Sequence, residues 1–263
     1  MRPLVLTGHR PEPEAYTTHL AGLIQDGILG TVKSANDIAR RQLRILDFCT
    51  GTGCIALLLH AILQSSIPNL HVRGIDISRK AVALARENIA HNIAKGFMKA
   101  SSETQSLRFD QGDLFSDESI NDLVGHQWDV ITCNPPYISQ HGFSHDTSRS
   151  VRNFEPKLAQ VPARKEHYDG CAPEDVFYAR LLEVGAVLKP KFLLFEVGDL
   201  HQALRVVGMA LKHPAFQKSE VGVWRDWPDA LPEEQEATSV TVAGKEIRIK
   251  GSGHGRSVYI QLD

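Results

Sequence analysis

Asn134-Pro135-Pro136-Tyr137 is the stretch of this chain best suited to chemistry. Two consecutive prolines have fixed φ and no N–H, and Pro136 restricts Pro135 in turn, so the loop is stiff. The Asn134 side-chain oxygen and the Pro135 carbonyl can each accept a hydrogen bond from one –NH2 group. An amide nitrogen is a poor nucleophile because its lone pair is delocalised. Two acceptors on its hydrogens would orient that lone pair and favour the positive charge that develops on nitrogen as a methyl group arrives. Holding the nitrogen in line at roughly 3–3.5 Å supplies much of the remaining acceleration. Tyr137 can stack on a flat substrate and close the pocket. The four residues are therefore read as catalytic and as substrate-binding, with no nucleophilic side chain and no metal required.

A donor for such a methyl group needs its own site. Asp47-Phe48-Cys49-Thr50-Gly51-Thr52-Gly53 follows an apolar run and opens a helical pattern. Its glycines allow a tight turn and a close approach of backbone to ligand. The third glycine of a dinucleotide fingerprint and the lysine of a phosphate loop are both missing, which argues against NAD and ATP. Asp76, followed by Ile77, ends the next strand, where an acid can accept both hydroxyls of an adenosine ribose. Asp113 ends a third strand, where it can meet an adenine amine beside Leu114 and Phe115. Three strand ends thus offer a glycine turn, a ribose acid and an adenine pocket in chain order. Cys49, Thr50, Gly51, Thr52, Gly53, Asp76, Ile77, Asp113, Leu114 and Asn134 are the expected cofactor residues. The set fits S-adenosyl-L-methionine, which carries no phosphate.

Those positions need a scaffold that brings strand ends together. Strands are predicted at 44–48, 71–76, 107–111, 128–133 and 192–197. Helices are predicted at 16–30, from Cys54 to about Ser65, from a Ser78 cap to about Ala94, from Pro173 to before Pro190, and from an Asp199 cap to near His213. Alternation of this kind gives a parallel sheet with helices on both faces, with ligands at the carboxyl ends of the strands. The tail differs: a strand at 220–224, a hairpin of 240–242 and 246–249, and a last strand at 257–261. Between them, 228–238 is polar and acidic and is expected to be a mobile loop. The expected fold is α/β, and together with the motifs above the pattern resembles the Rossmann-like class I methyltransferase fold. Its sheet would be seven-stranded and mostly parallel with an antiparallel last strand, plus a C-terminal β-hairpin insertion.

The 263 residues, 42% hydrophobic and 23% charged, suit one α/β domain with a small appendage. The formal charge of -2 lacks the basic surplus usual for a partner of bare nucleic acid. No apolar run approaches the ~18 residues of a membrane span. The four cysteines are too few for a disulfide scaffold and lack zinc-site spacing, so they read as reduced thiols of an intracellular protein. His141 and His145 are four apart, but Gly142 and the polar run around them suggest a loop rather than a metal-binding helix.

The motif residues resemble the Asn-Pro-Pro-Tyr methyltransferases, and more closely the peptide-chain release factor glutamine methyltransferases of bacteria and mitochondria. His9-Arg10-Pro11-Glu12-Pro13-Glu14 is similar to that family's Arg-Pro-Glu-Thr-Glu segment. Residues 45–53 are similar to its first motif, with Cys49 where a glycine is usual. Asn153-Phe154-Glu155-Pro156-Lys157-Leu158-Ala159 is similar to its Tyr-Glu-Pro-Arg-Leu-Ala segment, and Asp169-Gly170 and Phe195-Glu196-Val197-Gly198 fall at matching places. The resemblance implies methylation of the glutamine in the Gly-Gly-Gln loop of a release factor, with Glu155 added to the substrate-binding residues. It implies residues 1–30 as the remnant of a linker to a missing helical domain, and 31–263 as the catalytic domain. The 228–255 region is longer than the family's before Arg256-Ser257-Val258-Tyr259, which resembles its final strand, and this suggests a mitochondrial version. The expectation is a monomer in the mitochondrial matrix, with the cytoplasm as the alternative, and neither membrane nor direct nucleic-acid binding. The residues alone give only a planar –NH2 acceptor, so a DNA or RNA base amine remains the alternative substrate.

Overall fold

The computed structural model describes residues 11–27, 42–145, 147, 149, 152, 155–162, 168 and 170–262. The family-like residues at 9–10, 153–154 and 169, the helix tail expected over 28–30, and the boundary between residues 30 and 31 lie outside them.

Five parallel strands form one half of the sheet: β1 (Leu43–Phe48), β2 (Leu70–Asp76), β3 (Gln105–Gln111), β4 (Val130–Cys133) and β5 (Phe192–Glu196). The other half holds β6 (Glu220–Trp227), β7 (Ser239–Val242), β8 (Lys245–Lys250) and β9 (Ser252–Gln261). The order across the sheet is β3-β2-β1-β4-β5-β9-β6-β8-β7. β9 runs antiparallel between β5 and β6, as expected of the last strand. The sheet reaches nine strands because the β7–β8 hairpin joins its edge, with β8 parallel to β6. The order reverses between β1 and β4, the place where ligands bind in open α/β sheets.

Strand alternation divides the core into two layers. Leu46 and Phe48 of β1, Ile131 and Cys133 of β4, and Leu193 and Phe195 of β5 face one side. There they pack against α6 (Val176–Leu188) and α7 (Leu200–Lys212). Ile45, Val130, Phe192 and Leu194 face the other, against α1 (Pro11–Gln25), α2 (Cys54–Leu63) and α3 (Arg79–Ala94). The short helices α4 (Asp117–Asn121) and α5 (Gln140–His145) sit in connections. No helix among the described residues is long and apolar enough to cross a membrane.

Local chemistry sets the helix starts. The Ser78 hydroxyl accepts from Ala81 N at the start of α3, and the Asp199 carboxylate accepts from Gln202 N at the start of α7. α1 begins earlier than the periodicity suggests. Pro11 suits a first helical position, where a missing N–H costs nothing. His141 and His145 lie on α5 rather than in a loop, with their rings stacked at 4.2 Å.

The 228–238 segment is tied down rather than loose. Arg225 donates to Gly253 O at 2.7 Å and to Ala237 O at 3.1 Å, and the Glu236 carboxylate accepts from Gly253 N at 2.7 Å. Its Asp229 reaches His19 of α1 at 2.6 Å, while Lys250 approaches the other ring nitrogen at 3.0 Å. Neutral His19 satisfies both, donating from Nδ1 and accepting at Nε2. Burial, then Lys250, lowers its pKa against the pull of Asp229.

Candidate active site

The turn after β1 is shaped by two glycines and a buried acid. Gly51 takes φ +56° and points its N–H at the Asp76 carboxylate, 2.9 Å away. Gly53 takes φ +88° at the start of α2, and a Cβ there would fall 2.6 Å from the Phe109 ring. Beneath the turn, Asp47 accepts from the Thr50 hydroxyl at 2.5 Å and from the Thr132 hydroxyl of β4 at 2.7 Å. Burial pushes the Asp47 carboxyl up to about 7, although the two hydroxyls favour its charge. It braces the β1 turn against the strand that carries Asn134. On the outer side, Asp76 also accepts from Ser78 N at 2.8 Å, which fixes its carboxylate at the end of β2.

Two cavities open over these strand ends. The larger, about 340 Å3, is lined by Asp76, Ile77, Asp113, Leu114, Phe177 and Pro136, among others. Asp113 accepts from Phe115 N at 2.9 Å, and the Phe115 and Phe177 rings meet edge to face at 5.0 Å. Among the described residues, no Lys or Arg lines this cavity. The smaller, about 210 Å3, is lined by Thr50, Thr52, Tyr137, Glu155, Gln160 and the α1 residues Pro13, Glu14 and Thr17, among others. Cys49, Gly51, Asn134 and Ala159 line both, so the cavities meet at these four residues.

The Asn134–Tyr137 loop is held from both ends. The Tyr137 hydroxyl donates to Glu196 Oε1 at 3.0 Å, and the Tyr16 hydroxyl of α1 donates to Oε2 of the same buried carboxylate at 2.6 Å. Tyr178 donates to the Glu196 main-chain oxygen at 2.7 Å. Burial first, then the Glu196 charge, raises the Tyr16 pKa well above its usual value, so the phenol keeps its proton. Past the loop, Ile138 N donates to Gln160 O at 2.9 Å, and the Gln160 amide donates to the Glu155 carboxylate. The 155–160 segment is thereby laid over the site, with Pro156, Leu158 and Ala159 facing the larger cavity. Among the described residues, none hydrogen-bonds the Asn134 side-chain amide.

Most of the residues singled out from the sequence thus face one of two adjoining cavities. Gly53, Pro135 and Phe115 line neither, and Phe115 instead packs edge to face behind Phe177. Gly53 acts by shaping the turn, and Pro135 is buried within the stiff loop. Other lining residues carry no sequence signal of their own. Phe177 reads as an ordinary apolar residue of its helix, and Thr17 as an unremarked position of α1. Glu196 was a matched motif position, and its part as the shared acceptor of Tyr16 and Tyr137 emerges only in three dimensions. No group of three or more His, Cys, Asp or Glu able to hold a metal occurs among the described residues.

Parts of the chain are similar to known proteins. Residues 31–153 match the family model for the methyltransferase small domain. The probable MRF1 mitochondrial N(5)-glutamine methyltransferase mtq1 of Schizosaccharomyces pombe is 33% identical over 165 residues, spanning 62% of this chain and 50% of that protein. The release factor glutamine methyltransferase of Bacillus subtilis is 34% identical over 187 residues, 70% of this chain and 54% of that protein. The chain therefore spans about half the length of the curated relatives it matches. The solved delta-N METTL16 methyltransferase domain covers 98% of this chain and 84% of its own with a TM-score of 0.53 at 13% identity, a likeness of fold. Residues 31–153 are thus similar to the methyltransferase small domain, and the chain is similar, over about half their length, to release factor glutamine methyltransferases.

Proposed function

We propose that this chain is an S-adenosyl-L-methionine-dependent methyltransferase. It methylates the side-chain amide nitrogen of the glutamine in the Gly-Gly-Gln loop of a peptide chain release factor, and so modulates translation termination. One observation carries the reading: Asn134, opening a stiff Asn-Pro-Pro-Tyr loop, stands where the two cavities meet.

The larger cavity suits the nucleoside half of the donor. In this reading Asp76 takes the ribose hydroxyls and Asp113 the adenine amine, with Ile77, Leu114 and Phe177 as apolar walls; all five line the cavity. A lining whose described residues include no Lys or Arg fits a group without phosphates. Cys49, Thr50, Gly51 and Thr52 then flank the methionine end on the way to Asn134. When bound, the donor supplies an electrophilic methyl on a sulfonium and leaves as S-adenosyl-L-homocysteine. The protein's own task is positioning. The Asn134 oxygen and the Pro135 carbonyl take the two amide hydrogens, which turns the nitrogen lone pair towards the methyl and favours charge on nitrogen. Tyr137, anchored through Glu196, bounds the acceptor side, and Glu155 faces the same cavity.

The names of the relatives supply the glutamine and the release factor, since geometry alone specifies only a planar –NH2. The partner is accordingly a protein rather than nucleic acid. The mitochondrial relative supports a matrix location, with the cytoplasm as the alternative. The test is incubation with labelled S-adenosylmethionine and a release factor carrying Gly-Gly-Gln, beside its Gln→Ala variant and an RNA sample. Label on the glutamine alone is expected. Label in RNA, or persisting in the Gln→Ala protein, would sink the reading.

A further inference from the structure

Two cysteines meet at the junction of the cavities. Cys133 ends β4 and pairs in register with Phe48, the last residue of β1, so Cys49, the first residue of the turn after β1, is its diagonal neighbour. Strands ~4.8 Å apart with a rise of ~3.3 Å per residue place such diagonal Cα atoms about 5.8 Å apart, inside the range that a disulfide spans. Regular alternation would send the Cys49 side chain to the face opposite Cys133. Cys49 instead takes φ +53°, a left-handed conformation uncommon for a residue with a Cβ, and the alternation ends there. Its side chain packs against the same core layer as Cys133. Both cysteines are free thiols. Cys133 is buried, whereas Cys49 is partly open and lines both cavities.

We infer that Cys49 and Cys133 are an oxidisable thiol pair, closed into a disulfide by peroxide, that switches the donor site off. As a switch of methyl transfer the inference rests on the function proposed above; as a modification site it does not. The partly open sulfur is the one a small oxidant entering the cavities meets. The Cys49 thiolate attacks hydrogen peroxide, an S–O bond forms, the O–O bond breaks, and hydroxide leaves as water once protonated. The Cys133 sulfur then attacks the Cys49 sulfenic acid. The S–S bond forms, the S–O bond breaks, and the Cys133 proton leaves with the hydroxyl as a second water. Two thiols are oxidised and one peroxide is reduced. The product staples the turn carrying Gly51 to the residue before Asn134, and draws the Cys49 side chain from the lining of both cavities. Burial, and after it the Cys49 thiol, raise the Cys133 pKa well above the usual value. Cys133 thus acts as the slower, resolving partner.

The test uses the full chain, treated with hydrogen peroxide, blocked with iodoacetamide and digested. A peptide linking Cys49 to Cys133 is expected by mass spectrometry. It should be absent after dithiothreitol and absent from the Cys49→Gly and Cys133→Ala variants. Calorimetry with S-adenosylhomocysteine should show at least tenfold weaker binding to the oxidised wild-type chain, restored by dithiothreitol. Prior saturation with S-adenosylhomocysteine should slow cross-linking severalfold. Recovery of Cys133 only in alkylated form after peroxide, or cross-links to Cys54 or Cys171 in its place, would overturn the pairing. A cross-link that leaves ligand affinity unchanged would overturn the switch. Since the mass readout needs no turnover, failure of the glutamine reading would leave the pairing result standing.

Discussion

Replacing His60 by Leu should stabilise the protein, and more so in mild acid. His60 lies on α2 with 2% of its surface exposed, and neither ring nitrogen has a hydrogen-bond partner among the described residues. Burial lowers its pKa from 6.5 to about 4. The unfolded chain therefore takes up a proton as pH falls below ~6.5, while the folded chain holds off until about 4, so stability is lost across that window. At about 1.36 kcal/mol per pH unit of difference, the full loss is about 3.4 kcal/mol. Some 2 kcal/mol of it falls between pH 7 and pH 5 by the same linkage. That is a sizeable share of a typical stability of about 5–15 kcal/mol. Leu at this position cannot take up the proton and meets the apolar neighbours of α2, among them Leu57, Leu59 and Leu63. At pH 7 it should gain about 1 kcal/mol by removing an unpaired polar group. Urea unfolding of both proteins at pH 7 and pH 5 gives the four free energies. The advantage of the variant should grow by about 2 kcal/mol on acidification, and other titrating groups cancel in the difference. An advantage equal at the two pH values, within ~0.5 kcal/mol, would refute the assignment of a buried, unpaired imidazole.

Asn134→Ala should lower the rate of methyl transfer at least a hundredfold, as loss of a pre-organised transition-state contact does, while cofactor affinity weakens only modestly; near-normal single-turnover rates would remove the Asn134 oxygen from the mechanism. Asp76→Ala should weaken cofactor binding, since it removes a charged acceptor from the larger cavity and frees Gly51 N; calorimetry with unchanged affinity would take Asp76 out of the site. Ala243→Asn should stabilise the chain by up to about 1 kcal/mol. Ala243 at φ +49° and Gly244 at φ +79° form the two-residue β7–β8 turn, where Asn-Gly is the favoured pair. A melting temperature at or below that of the parent would contradict this.

The parts of the fold most legible in the sequence are those governed by local physics. β1 and β5 announce themselves as short apolar runs, and the Ser78 and Asp199 caps mark helix starts. The ends of the parallel strands then gather the Gly51 turn, Asp76 and Asp113 automatically. What could not be read is set by distant partners. The segment at 228–238 has the polar, acidic composition of a solvated loop. Its anchorage depends on Arg225 and on Glu236 meeting Gly253, residues that nothing local pairs. The parallel seating of β8 against β6 is likewise a tertiary choice, as a hairpin pattern specifies only its own two strands. Phe177 reaches the larger cavity because α6 packs across β4 and β5, and its helical spacing looks no different from that of its buried neighbours. At α5, the two histidine rings and a helical hydrogen bond from Phe143 N to Ser139 O coexist with Gly142, whose cost in a short helix is small.

The wall that α1 gives the smaller cavity also fixes when the site can come into being. α1 is among the first described residues to be synthesised, yet its anchors come very late. Tyr16 binds Glu196 across 180 residues, and His19 binds Asp229 across 210 and Lys250 across 231. At synthesis rates of ~5–20 residues per second, the wait for Asp229 alone is roughly 10–40 s. The nucleoside side assembles from consecutive β-α units, whose loops close at little entropic cost. Chain growth thus orders the assembly, with the donor half able to form on a nascent chain and the acceptor half delayed until the last strands emerge. A C-terminal truncation that spared every cavity-lining residue would still cost that wall its hydrogen-bonded anchors.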